Sequence, residues 1–233
     1  MKYSILPALM VLLFFGSCHP NNGNNINPTY SIWGDMTVRK TTSDSITLSG
    51  YGNSTTANAA FYRTPNNSNT RIAVNSIFSN GTQLRDKGDS WYTEELRNGI
   101  DTHVLWEVNG NSQVAGFSYD HAGSFPDYTG PKIPDTIIRA NGFTMSFPAG
   151  TITGGDSVAI NFFLVSHAAP TLFQYKGMDQ NHNVVFSPQE LSVLEPGRNF
   201  ANIIIKKSTY QTFAGKQYHF GKERVYMSIV VLR

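Results

Sequence analysis

His103-Val104-Leu105-Trp106-Glu107-Val108-Asn109-Gly110 decides the fold. Successive side chains of an extended chain point to opposite faces. Val104, Trp106 and Val108 therefore share one side, and His103, Leu105 and Glu107 share the other. One apolar face and one partly wet face is the pattern of an antiparallel sheet. Asn109-Gly110 follows at once and is a favoured hairpin pair, so the chain is expected to return through residues 114–119. Trp106 is expected in the core.

The same period of two recurs in both directions. Ile46 and Leu48 alternate with Thr47 and Ser49, and Ile72 and Val74 share one face of an expected strand. Asn80-Gly81 predicts a hairpin between Ile77-Phe78 and the Leu84 region. Phe143, Met145 and Phe147 form one face further on, and Val158, Ile160, Phe162 and Leu164 line a strand after the Gly154-Gly155-Asp156 turn. Residues 203–205, with Val225, Met227, Ile229 and Val231, are expected to complete the core. Nowhere do apolar residues keep a three-and-four spacing over three turns. Ser187-Pro188-Gln189-Glu190 is a capping box with proline at the first helical position, so about two helical turns are expected there, with Leu191 and Leu194 as the apolar stripe and Gly197 as the stop.

Residues 125–134 hold three prolines and a glycine and read as a stiff connector. The expected fold is all-β: two immunoglobulin-like antiparallel β-sandwich domains, residues 30–124 and 135–233, with one short helix in the second. A single continuous sandwich is the alternative.

The N-terminus carries an address. Lys2 precedes an apolar run from Ile5 to Phe15, and then come Gly16, Ser17 and Cys18, the one cysteine of the chain. A run of this length is too short to span a bilayer, which takes roughly 20 apolar residues, and fits a signal peptide. The pattern resembles a bacterial lipoprotein signal with a lipobox. The resemblance implies cleavage after residue 17 and diacylglycerol on the Cys18 sulfur, with a further acyl chain on its amine. Each buried methylene contributes about 0.8 kcal/mol, so two or more chains anchor stably. Residues 18–29, rich in asparagine and punctuated by Gly23, Pro20 and Pro28, read as a polar tether.

Removing residues 1–17 takes Lys2 and leaves 17 basic and 16 acidic side chains, a net charge of +1. Such a chain has no field to attract nucleic acid. With Cys18 lipidated no thiol remains, which excludes disulfides, zinc–thiolate sites and cysteine nucleophiles. No cofactor is expected.

Three further stretches, Leu105-Trp106-Glu107-Val108-Asn109-Gly110, Phe186-Ser187-Pro188-Gln189-Glu190-Leu191 with Leu194, and Gly215-Lys216-Gln217-Tyr218-His219-Phe220, resemble segments of outer-membrane lipoproteins of the Bacteroidota. Those proteins are similar in plan: a lipobox, a polar tether and tandem sandwich-like domains. The resemblance implies an outer-membrane address and carries over no catalytic residue. The tether lacks the acidic residues that surface-exported members carry after the cysteine, which favours the periplasmic face.

Candidate chemistry is sparse. Asp179, Asn181 and Asn183, with Glu190 at the twelfth place, mimic a calcium loop, but Val184 stands where that loop requires glycine. Gly88-Asp89-Ser90 and Gly154-Gly155-Asp156-Ser157 read as turns, because strands rather than helices follow them. Glu94 and Glu95 are adjacent and so point apart on a strand, whereas a glycosidase faces two carboxylates across a cleft. The six histidines form no metal-binding spacing, and His103 falls on a wet face. Trp33, Trp91, Tyr92, Phe125 and Tyr128 lie in or near expected turns or strand ends; burial at a domain interface is the first expectation for them, with Phe125 and Tyr128 wedged between the domains, and stacking on sugars or meeting a partner is the alternative. The expectation is a lipid-anchored, non-enzymatic accessory or binding protein of the envelope, with a protein or glycan partner. The alternative is a glycan-processing hydrolase with carboxylates from separate strands.

The anchor has a direct test. Cys18→Ser should move the protein from membrane pellets to the soluble envelope fraction; retention in the pellet contradicts the lipobox.

Overall fold

The computed structural model describes residues 31–43, 53–96, 100, 102–164 and 173–233. The signal, Cys18, the tether, and the Ile46/Leu48 alternation lie outside these residues.

The described chain is mostly strand. In order these are β1 (Ile32–Ser43), β2 (Ser54–Phe61), β3 (Ser76–Ser79), β4 (Thr82–Gln83), β5 (Arg85–Asp86), β6 (Trp91–Glu95), β7 (Val104–Asn109) and β8 (Phe117–His121). There follow β9 (Asp127–Tyr128), β10 (Thr136–Ile137), β11 (Phe143–Ser146), β12 (Ile152–Thr153), β13 (Ser157–Leu164), β14 (Phe173–Gly177) and β15 (Asn183–Phe186). After the helix α1 (Pro188–Ser192) come β16 (Gly197–Phe213) and β17 (Lys216–Leu232). The fold is all-β and sandwich-like.

One large sheet has the order β14-β13-β16-β17-β1-β2-β6-β5, with β10 also paired to β17. Most of its pairs are antiparallel, but β1 and β10 both run parallel to β17. Its spine is the hairpin β16–β17, with strands of 17 residues each and pairs from Gly197↔Leu232 to Phe213↔Lys216. Ala214 and Gly215 make the turn with φ of 48° and 75°. Positive φ at both central residues is the turn geometry that matches the twist of a hairpin.

The second layer is built of smaller sheets. β4-β3-β7-β8 faces one half of the large sheet, and the pairs β11-β15 and β9-β12 accompany the other half. Two apolar clusters result. The first joins Met36, Val38, Ala57, Ala59 and Phe61 to Ile77, Val104, Trp106, Val108, Tyr218 and Phe220. The second joins Val158, Ile160, Phe162, Ala201, Ile203, Ile205, Val230 and Leu232 to Met145, Val184, Phe186 and Leu191. Tyr218, Phe220, Val230 and Leu232 all have even numbers on β17, so alternation places both clusters on one face of the large sheet.

Between the clusters that face is polar. Lys222, fully buried, donates from Nζ to the carbonyls of Thr102 and Gly123 at 2.9 and 2.5 Å. Its ammonium lies 5.6 Å from the Phe125 ring centroid. Burial, reinforced by Lys207, lowers Lys222 to about 8. Tyr226 donates to Asp127, and the Tyr128 N–H donates to Tyr226 Oη at 3.0 Å.

Several expectations shift in detail. Ile72 and Val74 are buried, but in an irregular segment rather than a strand. The Val74 N–H instead finds its acceptor in Tyr92 Oη, at 2.9 Å. β7 and β8 do pair, with Val108 opposite Phe117, but through a longer loop than Asn109-Gly110 predicts. Asn111 Oδ1 accepts from the Gln113 and Val114 N–H groups and shapes that loop. In β17 it is Val230 and Leu232, not Val231, that reach the second cluster; Met227 and Ile229 pack on Phe163 and Phe200 on the opposite face. The helix has the full capping box of Ser187 and Glu190 but is only 5 residues long. Gly197 opens β16 at a φ of 117°.

Trp106 is fully buried in the first cluster. Trp106→Ala should cost about 3–5 kcal/mol in a urea unfolding experiment, the range for truncating a buried aromatic ring; a loss near zero would contradict this placement.

Candidate functional site

The face of the large sheet opposite the two clusters is where the side-chain chemistry gathers. Register fixes its rows. Trp91 of β6 pairs with Ala60 of β2, Ala60 with Asp35 of β1, Asp35 with His219 of β17, and His219 with Tyr210 of β16. Paired residues on adjacent strands share a face, so these five side chains form one row across five strands. The next row along the strands is Thr93, Asn58, Thr37, Gly221 and Ser208. The third carries Arg39, Glu223 and Lys206.

Asp35, His219 and Ser208 form a relay. His219 Nδ1 lies 3.1 Å from Asp35 Oδ1, and His219 Nε2 lies 3.1 Å from Ser208 Oγ. Thr37 Oγ1 donates to the same Asp35 oxygen at 2.9 Å. Burial alone raises the Asp35 carboxyl. His219, Lys206 and the Thr37 hydroxyl outweigh it and hold the carboxyl well below the usual carboxylate range. The His219 ring meets the Tyr210 ring at a centroid distance of 5.3 Å.

Beside the relay is an ion-pair network. Arg39 Nε donates to Glu223 Oε2 at 2.7 Å, and Lys206 Nζ is 3.6 Å from Glu223 Oε1. Burial raises Glu223, but Arg39 and Lys206 prevail and lower it. Burial lowers Lys206, but Glu223 and Asp35 prevail and raise it. Two cations and two carboxylates thus offset one another. Tyr62 borders the same region: burial and the Asp35 charge both raise its phenol. Arg71, bridged to Tyr62, lies 5.1 Å above the Trp91 ring.

The face also holds unpaired amide oxygens. Asn58 is 5% exposed, and its Oδ1 has no hydrogen-bond partner among the described residues. Asn161 and Asn202, a cross-strand pair further along, are in the same state at their Oδ1 atoms.

The relay holds a hydroxyl, a base and a carboxylate in the order used by serine hydrolases. Acyl transfer also needs donors aimed at the developing oxyanion. Here the backbone N–H of Ser208 donates to the Asp156 carboxylate at 2.5 Å. A second negative charge forming beside that carboxylate would be repelled.

The expected site residues scatter. Tyr92, Phe125 and Tyr128 are buried, the first two in the first cluster and the third in the second. Trp33 is half-buried on the other face, with Lys216 Nζ 4.6 Å from its ring centroid. Trp91 alone of the five joins the row. Asp179 Oδ1 accepts from the Asn181 and Asn183 N–H groups, and Glu190 is held by Ser187 and Lys176. Among the described residues no three His, Asp or Glu side chains gather as a metal site. Glu94 pairs with Arg85 in two hydrogen bonds at the sheet edge, and His103 pairs with Asp120.

Sequence reasoning missed Asp35, His219 and Ser208. Asp35 and His219 are 184 positions apart and meet through a parallel pairing that no local pattern announces. No helix among the described residues is long and apolar enough to cross a membrane. No protein-family model and no curated protein matches this chain.

A second histidine sets a pH dependence. His121 is buried, with Nε2 3.3 Å from Thr209 Oγ1. Burial lowers it from 6.5 to about 4, aided by Lys222, Lys207 and His219 against the weaker pull of Asp120. Between those values the unfolded chain binds a proton that the folded chain refuses, so stability falls as pH drops through the window. His121→Gln should flatten the decline in thermal midpoint between pH 6.5 and 4; an unchanged slope would contradict the assignment.

Proposed function

We propose that this protein is a lipid-anchored, non-enzymatic envelope protein acting as an accessory or binding module for a protein or glycan partner. In this reading Cys18 carries the lipid, residues 18–29 are the tether, and the periplasmic face of the outer membrane is the address. The body acts as two immunoglobulin-like units that share the β16–β17 hairpin. The lipobox resemblance supports the anchor. One observation carries the binding role: in the row Trp91, Ala60, Asp35, His219 and Tyr210, set across five hydrogen-bonded strands, Trp91, Asp35 and Tyr210 reach solvent while Ala60 and His219 are buried beside them. A rigid sheet holds such groups with little ordering cost on binding.

A hydrolase is the second reading, favoured by the Ser208–His219–Asp35 contacts. The Asp156 carboxylate on the Ser208 N–H opposes it. Exposure of the purified protein to a fluorophosphonate probe separates the two. Intact mass should show no adduct at Ser208. Labelling that disappears in Ser208→Ala and His219→Gln would replace the binding role with an acyl-transfer enzyme.

A further inference from the structure

We infer that the hollow between the 3-10 turn Arg139–Asn141, the helix α1 and the end of β17 binds a carboxylate carried on a short apolar stem. This site is separate from the row through Asp35 and His219 and does not depend on it.

Shape comes first. An open hollow of about 500 Å³ is lined by Arg139, Ala140, Pro188, Gln189, Ser192 and Arg233. That volume falls in the range of small-molecule sites. Its walls are tied to one another. The Arg139 N–H donates to the main-chain oxygen of Arg233 at 2.8 Å, and the Arg233 N–H donates to that of Ile137 at 3.0 Å. Arg139 Nη1 donates to the Leu194 carbonyl at 2.7 Å, which binds the turn to the end of the helix. Gly142 closes the turn at a φ of 72°, and a Cβ there would meet the Phe186 carbonyl oxygen at 2.7 Å. The helix itself is fixed by its capping box and by Leu191, buried in the second cluster. Walls held in this way lose little freedom when a ligand arrives.

Charge decides the head of the ligand. Arg139 and Arg233 both line the hollow. Asp135, Glu190 and Glu195 are the acids of the neighbouring segments, and none forms an ion pair with either arginine among the described residues. Glu190 is turned to Lys176 and Ser187 instead. A carboxylate on Arg233 itself would still leave one positive charge in excess. A guanidinium carries five N–H donors. Arg139 gives only Nη1 to the protein, at the Leu194 and Ser192 carbonyls, and its Nη2 reaches solvent without a partner. The planar guanidinium fork matches a planar carboxylate.

The rim decides the stem. Among the described residues the exposed large apolar side chains are Leu105, Ile138, Val185 and Val193. Two of these flank the hollow in sequence: Ile138, 52% exposed, precedes Arg139, and Val193, 43% exposed, follows Ser192. Ala140 and Pro188 add apolar surface to the lining. A bare phosphate or sulfate would leave this surface uncovered, whereas a carboxylic acid with a few methylenes or an aliphatic side chain covers it.

The test is isothermal titration calorimetry of the purified lipidated chain in non-ionic detergent. Hexanoate is the probe, with hexanol and hexylamine as its neutral and cationic counterparts. Hexanoate should saturate one site, and the other two should not. Arg233→Gln, at an exposed residue, should weaken hexanoate binding fivefold or more with the thermal midpoint unchanged. Arg139→Lys keeps the charge, loses the planar fork and should weaken binding to a similar degree. Lys87→Gln, in the first half of the chain, should leave it unchanged. A leucine-ended pentapeptide, as free acid and as amide, identifies the source. Binding of hexanoate and the free acid but not the amide assigns the hollow to the terminus of a partner chain; binding of hexanoate alone assigns it to a free small acid. No saturable hexanoate binding, equal binding of hexanol, tighter binding of inorganic phosphate, or both arginine variants equal to wild type would overturn the inference and leave the binding role of the Asp35 face untouched.

Discussion

The pairing of β16 with β17 is the constraint on which the rest depends. Its ladder runs unbroken from Gly197↔Leu232 to Phe213↔Lys216. Nothing else in the described chain touches both apolar clusters so fully. The turn-side half of the hairpin brings Tyr218 and Phe220 to the first cluster, and the open half brings Ala201, Ile203, Ile205, Val230 and Leu232 to the second. Every long neighbour is then aligned on this spine, β1 on β17 and β13 on β16. On the opposite face the same strands bring together the relay and the ion pairs. Core and candidate site are two sides of one ladder.

Much of the fold was legible because the period-two pattern is a local signal. Val104, Trp106 and Val108 are buried as alternation requires. Asn80 and Gly81 adopt the positive φ values that a hairpin turn needs, and Ser187 with Glu190 forms the expected capping box. Errors arose where both faces of a strand are covered. On β17, Met227 and Ile229 meet Phe163 and Phe200 on one face while Val230 and Leu232 meet the second cluster on the other. Alternation then names no single buried side. Ile72 and Val74 show the converse: two apolar residues are buried without a strand, because Tyr92 supplies the hydrogen bond.

The candidate site was barely legible. Of the residues singled out in sequence, Trp91 joins the row on the polar face, whereas Tyr92, Phe125 and Tyr128 fill the interior. Parallel pairing between β1 and β17 needs a long return path, and sequence carries no mark of which distant strand will be chosen. Asp35 and His219 become neighbours only once that choice is made. The charged residues read alike in sequence but divide by environment. Glu94 is an edge charge paired with Arg85, while Glu223 is 7% exposed between Arg39 and Lys206.

A polar strip parts the two clusters on their shared face, with Lys222 holding the Thr102 and Gly123 carbonyls and Tyr226 holding Asp127. A shared spine binds the halves, and this strip keeps their apolar surfaces apart. If the spine governs, the two halves lose structure together. Native-state hydrogen exchange measures this most directly, through the amides of Phe220 in the first cluster and of Ile203 and Ile205 in the second. Equal opening free energies with the same denaturant dependence are expected. Exchange of Phe220 through a separate, cheaper opening that leaves Ile203 and Ile205 protected would contradict the account.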